Sequence, residues 1–186
     1  MTNKSDASGA RGPAVTFRPL AEADLPTLHR WLNDPAVVAW WEGRDVSWPA
    51  VARDYGPGSD DGTEHWIALL DGEPFGWIQC YPATEEAEGE TYHWQEHLPL
   101  AGTAGIDYLV GEARHRGRGL GAALIRAFVR DVLFPTHPEW RIAAAGPFEA
   151  NVASWKALEK AGFSRVARLN DAEGPCVLMA IRRDEV

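Results

Sequence analysis

The run Arg116-Gly-Arg-Gly119-Leu-Gly121 suits one kind of chemistry, the holding of an anion by exposed backbone. Glycines fold tightly and leave amide N–H groups uncovered. The run opens into a helix, whose first N–H groups and positive dipole end also lack partners. Arg116 and Arg118 are expected to add charge to the same site. A P-loop would need Gly-x-x-x-x-Gly-Lys-Ser/Thr, and no such run occurs. A dinucleotide fingerprint needs Gly-x-Gly-x-x-Gly, which this spacing does not give, and the run lies mid-chain after a hairpin. For an isolated Arg/Gly run the bland alternative is a solvated basic turn. Trp40 and Trp41 are adjacent and hard to bury together, and aromatics also make platforms for sugars and faces for cations. His93 and His97 lie in a proline-flanked loop without partner ligands, so no metal site is expected. Cys80 and Cys176 fall in strand-like segments and read as free thiols, neither of them a nucleophile.

The elements that must position these residues follow from periodicity. Val15 to Leu20 alternates as a first strand, and Asp24 caps a helix carrying Leu25, Leu28, Trp31 and Leu32 on one face. A short helix holds Val37 and Val38, and Ser47 caps another through Tyr55. His65 to Leu70 and Pro74 to Tyr81 form a hairpin turned at Asp71-Gly72. Pro82 to Gly102 is acidic, aromatic and irregular, with Tyr92 and Trp94 as its buried-looking members. Ala104 to Val110 is a strand, and Gly119 to Leu133 a helix ended by Pro135 and Pro138. A strand at Arg141 to Ala145, a helix at Val152 to Ala161 stopped by Gly162, and strands at Phe163 to Leu169 and Pro175 to Arg182 complete the order. This predicts an α+β class with a mixed sheet covered by helices, as one domain over 14–186 behind a flexible leader, 1–13.

Composition removes several function classes. A chain of 186 residues with 45% hydrophobic content builds a real core. No apolar run approaches a membrane span, and no secretory signal is visible at the start, so a cytoplasmic location is expected. A net charge of -9 argues against nucleic acid and is compatible with a cationic substrate, which an acidic cleft concentrates.

Two runs carry a family resemblance. Arg116-Gly-Arg-Gly119-Leu-Gly121 matches the Arg/Gln-x-x-Gly-x-Gly/Ala pyrophosphate loop of the GNAT acetyltransferases, and Asn151-Val-Ala-Ser-Trp-Lys-Ala-Leu-Glu-Lys-Ala-Gly-Phe163 resembles their second signature. Trp31-Leu-Asn, Trp40-Trp-Glu-Gly, Gly72-Glu-Pro-Phe-Gly-Trp-Ile-Gln-Cys-Tyr81, Gly105-Ile-Asp-Tyr-Leu and Gly174-Pro175 extend the likeness along the chain, toward the aminoglycoside 6′-N-acetyltransferases. The resemblance implies a GNAT fold with a sheet of about seven strands. It implies acetyl-CoA as co-substrate, held by Tyr108, Leu109, Val110, Arg116, Gly117, Arg118, Gly119, Leu120, Gly121 and Asn151, with no metal.

The implied reaction is direct acetyl transfer to the 6′ amine of an aminoglycoside in a ternary complex, conferring resistance. Asp107 is the implied base, with Glu90 as a second active-site acid. Trp40, Trp41, Gln79, Tyr92 and Glu173 are the implied substrate contacts. The thioester carbonyl would be polarised by N–H groups near Tyr108 and Leu109 on a strand that is bulged in the family. Asn151 is equally an ordinary N-cap. One position departs from the pattern: Leu158 stands where many members carry a tyrosine that protonates the leaving thiolate. Rival readings are a siderophore-pathway hydroxylysine N-acyltransferase, in which His is expected at Asp107, another small-molecule or peptide N-acetyltransferase, and a silent acyl-CoA sensor. Monomer and homodimer both fit.

Overall fold

A computed structural model of the chain describes residues 14–41, 44–56, 62–83, 92–171 and 174–186. One mixed sheet of seven strands organises them, in the order β1-β2-β3-β4-β5-β7-β6. The strands are β1 (Val15–Pro19), β2 (Glu64–Leu70), β3 (Glu73–Pro82), β4 (Thr103–Val110), β5 (Ile142–Ala145), β6 (Ser164–Asp171) and β7 (Gly174–Arg182). Every neighbouring pair is antiparallel except β4 and β5. The hairpin turn between β2 and β3 has positive φ at both Asp71 and Gly72, the conformation a tight two-residue hairpin demands.

Helices cover both faces. On one lie α1 (Leu25–Leu32), α2 (Pro35–Val38) and α3 (Trp48–Asp54). Leu28, Trp31, Leu32 and Val51 meet Ile67, Trp77 and Leu109 of the sheet there. On the other lie α4 (Leu120–Phe128) and α6 (Val152–Ala161), whose Leu124, Phe128 and Leu158 pack on Phe75, Ile78 and Ile106. Asn151 caps α6 through its side-chain oxygen, and Gly162 ends the helix at φ 109.

One helix runs further than its prolines suggest. After α4 the chain makes a π-helical stretch, Val129–Leu133, and continues into α5 (Phe134–Thr136). The wide turn leaves the Phe134 N–H bonded back to Val129 and lets Pro135 enter at the start of α5, where its missing N–H is not needed. The helix therefore ends at Thr136, not at Leu133.

The sheet also opens in the middle. β4 pairs with β5 only from Thr103 to Gly105, while its other edge stays paired with β3 to Val110. From Ile106 onward the two parallel strands part. Expectation placed a bulge in β4, but its register against β3 is continuous; a shift lies instead in the β2–β3 hairpin, between Ala68 and Leu69 of β2. The gap comes from β5 leaving β4 and pairing through Ala145 with β7.

Candidate active site

Opposed residues of an antiparallel pair project on one face. Gln79 is opposite Asp107, Tyr81 opposite Gly105, Trp77 opposite Leu109 and His65 opposite Gln79, so all of these share the α1–α3 face. Asp107 is half-buried, and the Gln79 amide Nε2 donates to its Oδ2 at 2.7 Å. Gly105 leaves room for the Tyr81 ring: a Cβ there would lie 2.2 Å from it. That vacancy lets Tyr81 lean across β4 to Asp107. Loss of water, then the charge of Asp107 and a hydrogen bond to it, push the Tyr81 phenol well up, with Arg44 opposing. Burial likewise raises Tyr55, against the Trp41 indole and Arg44, with Asp107 adding to the rise. Asp107, Tyr55, Tyr81 and Arg44 thus share one electrostatic neighbourhood.

An aromatic wall stands beside it. Trp77 meets Trp41 edge-on at 6.0 Å and Tyr55 at 5.5 Å, and His65 stacks on Trp77 at 5.8 Å. The adjacent tryptophans diverge as neighbours must. Trp41 joins the wall, whereas Trp40 is 39% exposed.

The second half of the site is the parted edge of β4. The Gly111 N–H donates to the Phe75 carbonyl on β3. Alternation then turns the N–H groups of Leu109 and Asp107 toward β3 and those of Ile106, Tyr108 and Val110 toward the gap. Tyr108 and Val110 offer donors there; Leu109 does not, and its side chain is buried among the α1 residues. The Tyr108 hydroxyl reaches α6, 2.8 Å from Ser154 Oγ and 3.0 Å from the Ser154 carbonyl, and burial raises it. Leu158, fully buried, presents no proton donor.

At the end of the gap stands the glycine loop. Gly117 and Gly119 have φ 72 and 78, and a Cβ at either would meet nothing within 4 Å. The demand for glycine here is conformational, and the space beside it is open. Gly119 begins α4 without a side-chain cap, so the first helical N–H groups stay available to an anion. The Arg116 guanidinium, expected at that anion site, is bonded to the end of β4 and to Asp34. Its Nε and Nη2 donate to the carbonyls of Val110 and Gly111 at 2.9 and 2.7 Å, and Nη1 pairs with Asp34 at 2.9 Å. Two carbonyls at the end of β4 need donors, and the guanidinium fork supplies them. Its service is to clamp the loop to β4 and to the N-cap of α2. Arg118 is exposed beside the loop.

Glu90 and Glu173 lie outside the described residues, as does the side chain of Tyr92. Sequence reasoning missed Tyr55, His65, Tyr81 and Arg44. The register of β2, β3 and β4 brings His65 and Tyr81 to the face of Asp107, while Tyr55 at the end of α3 and Arg44 before that helix come in from outside the sheet. Gly105, in a strand where glycine is disfavoured, was the available signal of a ring packed close.

A family model described as an acetyltransferase (GNAT) domain matches residues 21–170. The chain belongs to the GNAT acetyltransferase family. It is 35% identical over 188 residues to the aminoglycoside N(6′)-acetyltransferase type 1 of Klebsiella pneumoniae, across 98% of this chain and 87% of the relative. The N(6)-hydroxylysine O-acetyltransferase of Escherichia coli is 27% identical over 158 residues, 82% of this chain and 47% of that protein. The solved aminoglycoside acetyltransferase AAC(6′)-Ib in complex with coenzyme A and kanamycin superposes with a TM-score of 0.80 at 34% identity, covering 92% and 96% of the two chains. The parted strands and the loop before α4 are thus features of a GNAT acetyltransferase, and the seven-stranded sheet is its fold. No described helix is long and apolar enough to cross a membrane.

Proposed function

We propose that this GNAT enzyme transfers the acetyl group of acetyl-CoA to the 6′ amine of an aminoglycoside, and that the reaction protects a bacterial cell from the drug. Acetyl-CoA would lay its pyrophosphate on the N–H groups of Gly117 to Gly121 and its pantetheine arm along the free edge of β4. Asn151 shapes that side by capping α6 and so fixing the helix to which Tyr108 is bonded. The observation that carries the reading is Asp107: a carboxylate held by Gln79 and Tyr81, next in sequence to a gap-facing N–H, and walled by aromatic rings.

The ammonium of the substrate must lose a proton before it attacks, and the Asp107 carboxylate takes it. The amine nitrogen then forms the new bond to the thioester carbon. The charge gathering on the carbonyl oxygen is met by β4 N–H groups, of which Tyr108 is the candidate closest in sequence to Asp107. The carbon–sulfur bond breaks, the thiolate leaves, and the nitrogen gives its second proton to water. With an ordinary thiol pKa of roughly 8.5 it is a tolerable leaving group and takes its proton from water. Trp41, Gln79, Tyr92 and Glu173 are assigned to the sugar, with Glu90 as a second acid. Trp40, exposed, is left at the rim.

The test is acetyl-CoA turnover, read as thiol release, against aminoglycosides with a 6′ amine, an analogue with a 6′ hydroxyl, and N6-hydroxylysine. Turnover confined to the 6′ amines is expected, and expression of the chain should raise the inhibitory concentration of the same compounds. Preference for N6-hydroxylysine would move the chain to the siderophore-type reading. Equal turnover of the 6′-hydroxyl analogue would refute the regiochemistry.

A further inference from the structure

The α4 face of the sheet, turned away from Asp107, carries a second group of polar side chains that the acetyl-transfer reading does not use. Glu64 and Cys80 are directly opposed on β2 and β3, and His137 follows α5. One ligand atom from each lies within 4.8 Å of the others. We propose that Glu64, Cys80 and His137 bind one divalent cation of the zinc class, separate from the acetyl-transfer site.

The donor set points to that class. A thiolate, an imidazole and a carboxylate are the ligands zinc takes, whereas magnesium and calcium seek oxygen alone. Bonds of about 2.0–2.3 Å in a tetrahedron set ligand atoms roughly 3.3–3.8 Å apart, so small side-chain rotations close this triad around an ion. Three protein ligands leave a fourth position, and Glu64, its side chain 43% exposed, opens it to water. On binding, the Cys80 sulfur exchanges its proton for the metal and the proton leaves to solvent. No electron moves.

The histidine is oriented for the task. Its Nδ1 lies 3.1 Å from the Glu139 carboxylate, the outer partner that fixes a metal-binding imidazole with its other nitrogen bare. That nitrogen, Nε2, is buried and 3.1 Å from Glu64 Oε1, yet it makes no hydrogen bond. With Nδ1–H given to Glu139, two acceptors lie side by side, an arrangement a shared cation satisfies. The ring is stacked on Trp140 at 3.8 Å. Arg183 holds the segment by donating to the carbonyls of Phe134, His137 and Trp140. A rigid support of this kind makes three distant residues a built site. Neither His93 nor His97, the pair visible in sequence, takes part. An ion here would pin the β2–β3 hairpin to the segment between α5 and β5.

The test uses the full chain, stripped by a chelator, with zinc and cobalt(II) as probes. One equivalent of zinc is expected by calorimetry, a rise in Tm of roughly 5–10 °C at a hundredfold excess over Kd, and a thiolate-to-cobalt charge-transfer band. Cys80→Ser and His137→Ala should lose the band and bind at least tenfold more weakly, and Glu64→Gln, a milder change at a half-exposed position, should weaken binding too. Cys176→Ser should match the parent. The wild-type cobalt spectrum stands whether or not the variants fold. Absence of stoichiometric binding, a Tm rise without the thiolate band, or a band that survives Cys80→Ser overturns the proposal. So does an imidazolium signal from His137 in zinc-saturated protein, which would make a proton the cation that Glu64 and Glu139 share.

Discussion

Replacing Gly105 with alanine tests whether Tyr81 positions Asp107. The new Cβ would fall 2.2 Å from Tyr81 Cε2 and 2.6 Å from its Cζ, where ordinary contact begins near 3.4 Å. The ring must retreat by about 1 Å, because β4 is held on both sides at this position, by Tyr81 on β3 and Ala144 on β5. Overpacking of this size costs about 1–3 kcal/mol, which for a chain of this length is a fall in Tm of roughly 2–12 °C. Catalysis should suffer more. A misplacement near 1 Å at a reacting group costs up to about 10²-fold, and Tyr81 is a direct neighbour of the carboxylate. The assay is kcat and KM for one 6′-amine aminoglycoside, with acetyl-CoA binding measured separately. A kcat lowered roughly 10- to 100-fold with unchanged acetyl-CoA affinity is expected, and Tyr81→Phe should reproduce a milder part of it. A folded Gly105→Ala enzyme with parental kcat would refute the claim that Tyr81 helps to place Asp107.

Gly119→Val should abolish the thermal protection that acetyl-CoA gives, since a β-branched residue at φ 78 is strained and its side chain would fill the space beside the helix N-terminus. Undiminished protection in a folded variant would remove the loop from the acetyl-CoA site. Gln79→Leu takes from Asp107 a donor at 2.7 Å, and kcat is expected to fall about tenfold while acetyl-CoA affinity holds; equal loss of both would mean misfolding. Acid stability follows from Asp24 and Glu112. Hydrogen bonds from Arg18, and from Arg30 and Trp31, hold these carboxyls below their ordinary range. Their contribution is full above the unfolded values near 4 and is lost as pH falls through the folded ones. Tm measured across pH 2–6 should decline less steeply in Asp24→Asn than in the parent.

Much of this fold is legible in local chemistry. Asp71-Gly72 announces its hairpin, the apolar spacing of Leu25, Leu28, Trp31 and Leu32 gives the buried face of α1, and Asn151 and Gly162 bound α6 where caps belong. The glycine loop is legible because the positive φ at Gly117 and Gly119 favours glycine itself. What the sequence hides is mostly non-local. The spacing of Arg116 does not reveal that its guanidinium turns back to Val110, Gly111 and Asp34. Tyr81 and Tyr55 join Asp107 through strand register and a packed α3, and Glu64, Cys80 and His137 meet through the path of the chain beyond α4. Pro135 signals a helix stop, and the π turn before it overrides the signal.

The central claim is that the Asp107 carboxylate draws the proton from the attacking amine. Its most direct test is the pH–rate profile of Asp107→Asn beside the parent, with one 6′-amine aminoglycoside and acetyl-CoA binding as the control. An amide nearly preserves the shape, and Gln79 can flip its own amide to keep a hydrogen bond, but an amide accepts no proton near neutrality. General-base contributions are about 10²–10⁴-fold, so kcat should fall by that order at pH 7 and recover toward the parent as pH rises and free amine accumulates. Parental kcat across neutral pH, with acetyl-CoA still bound, would contradict the account and hand the proton to another group.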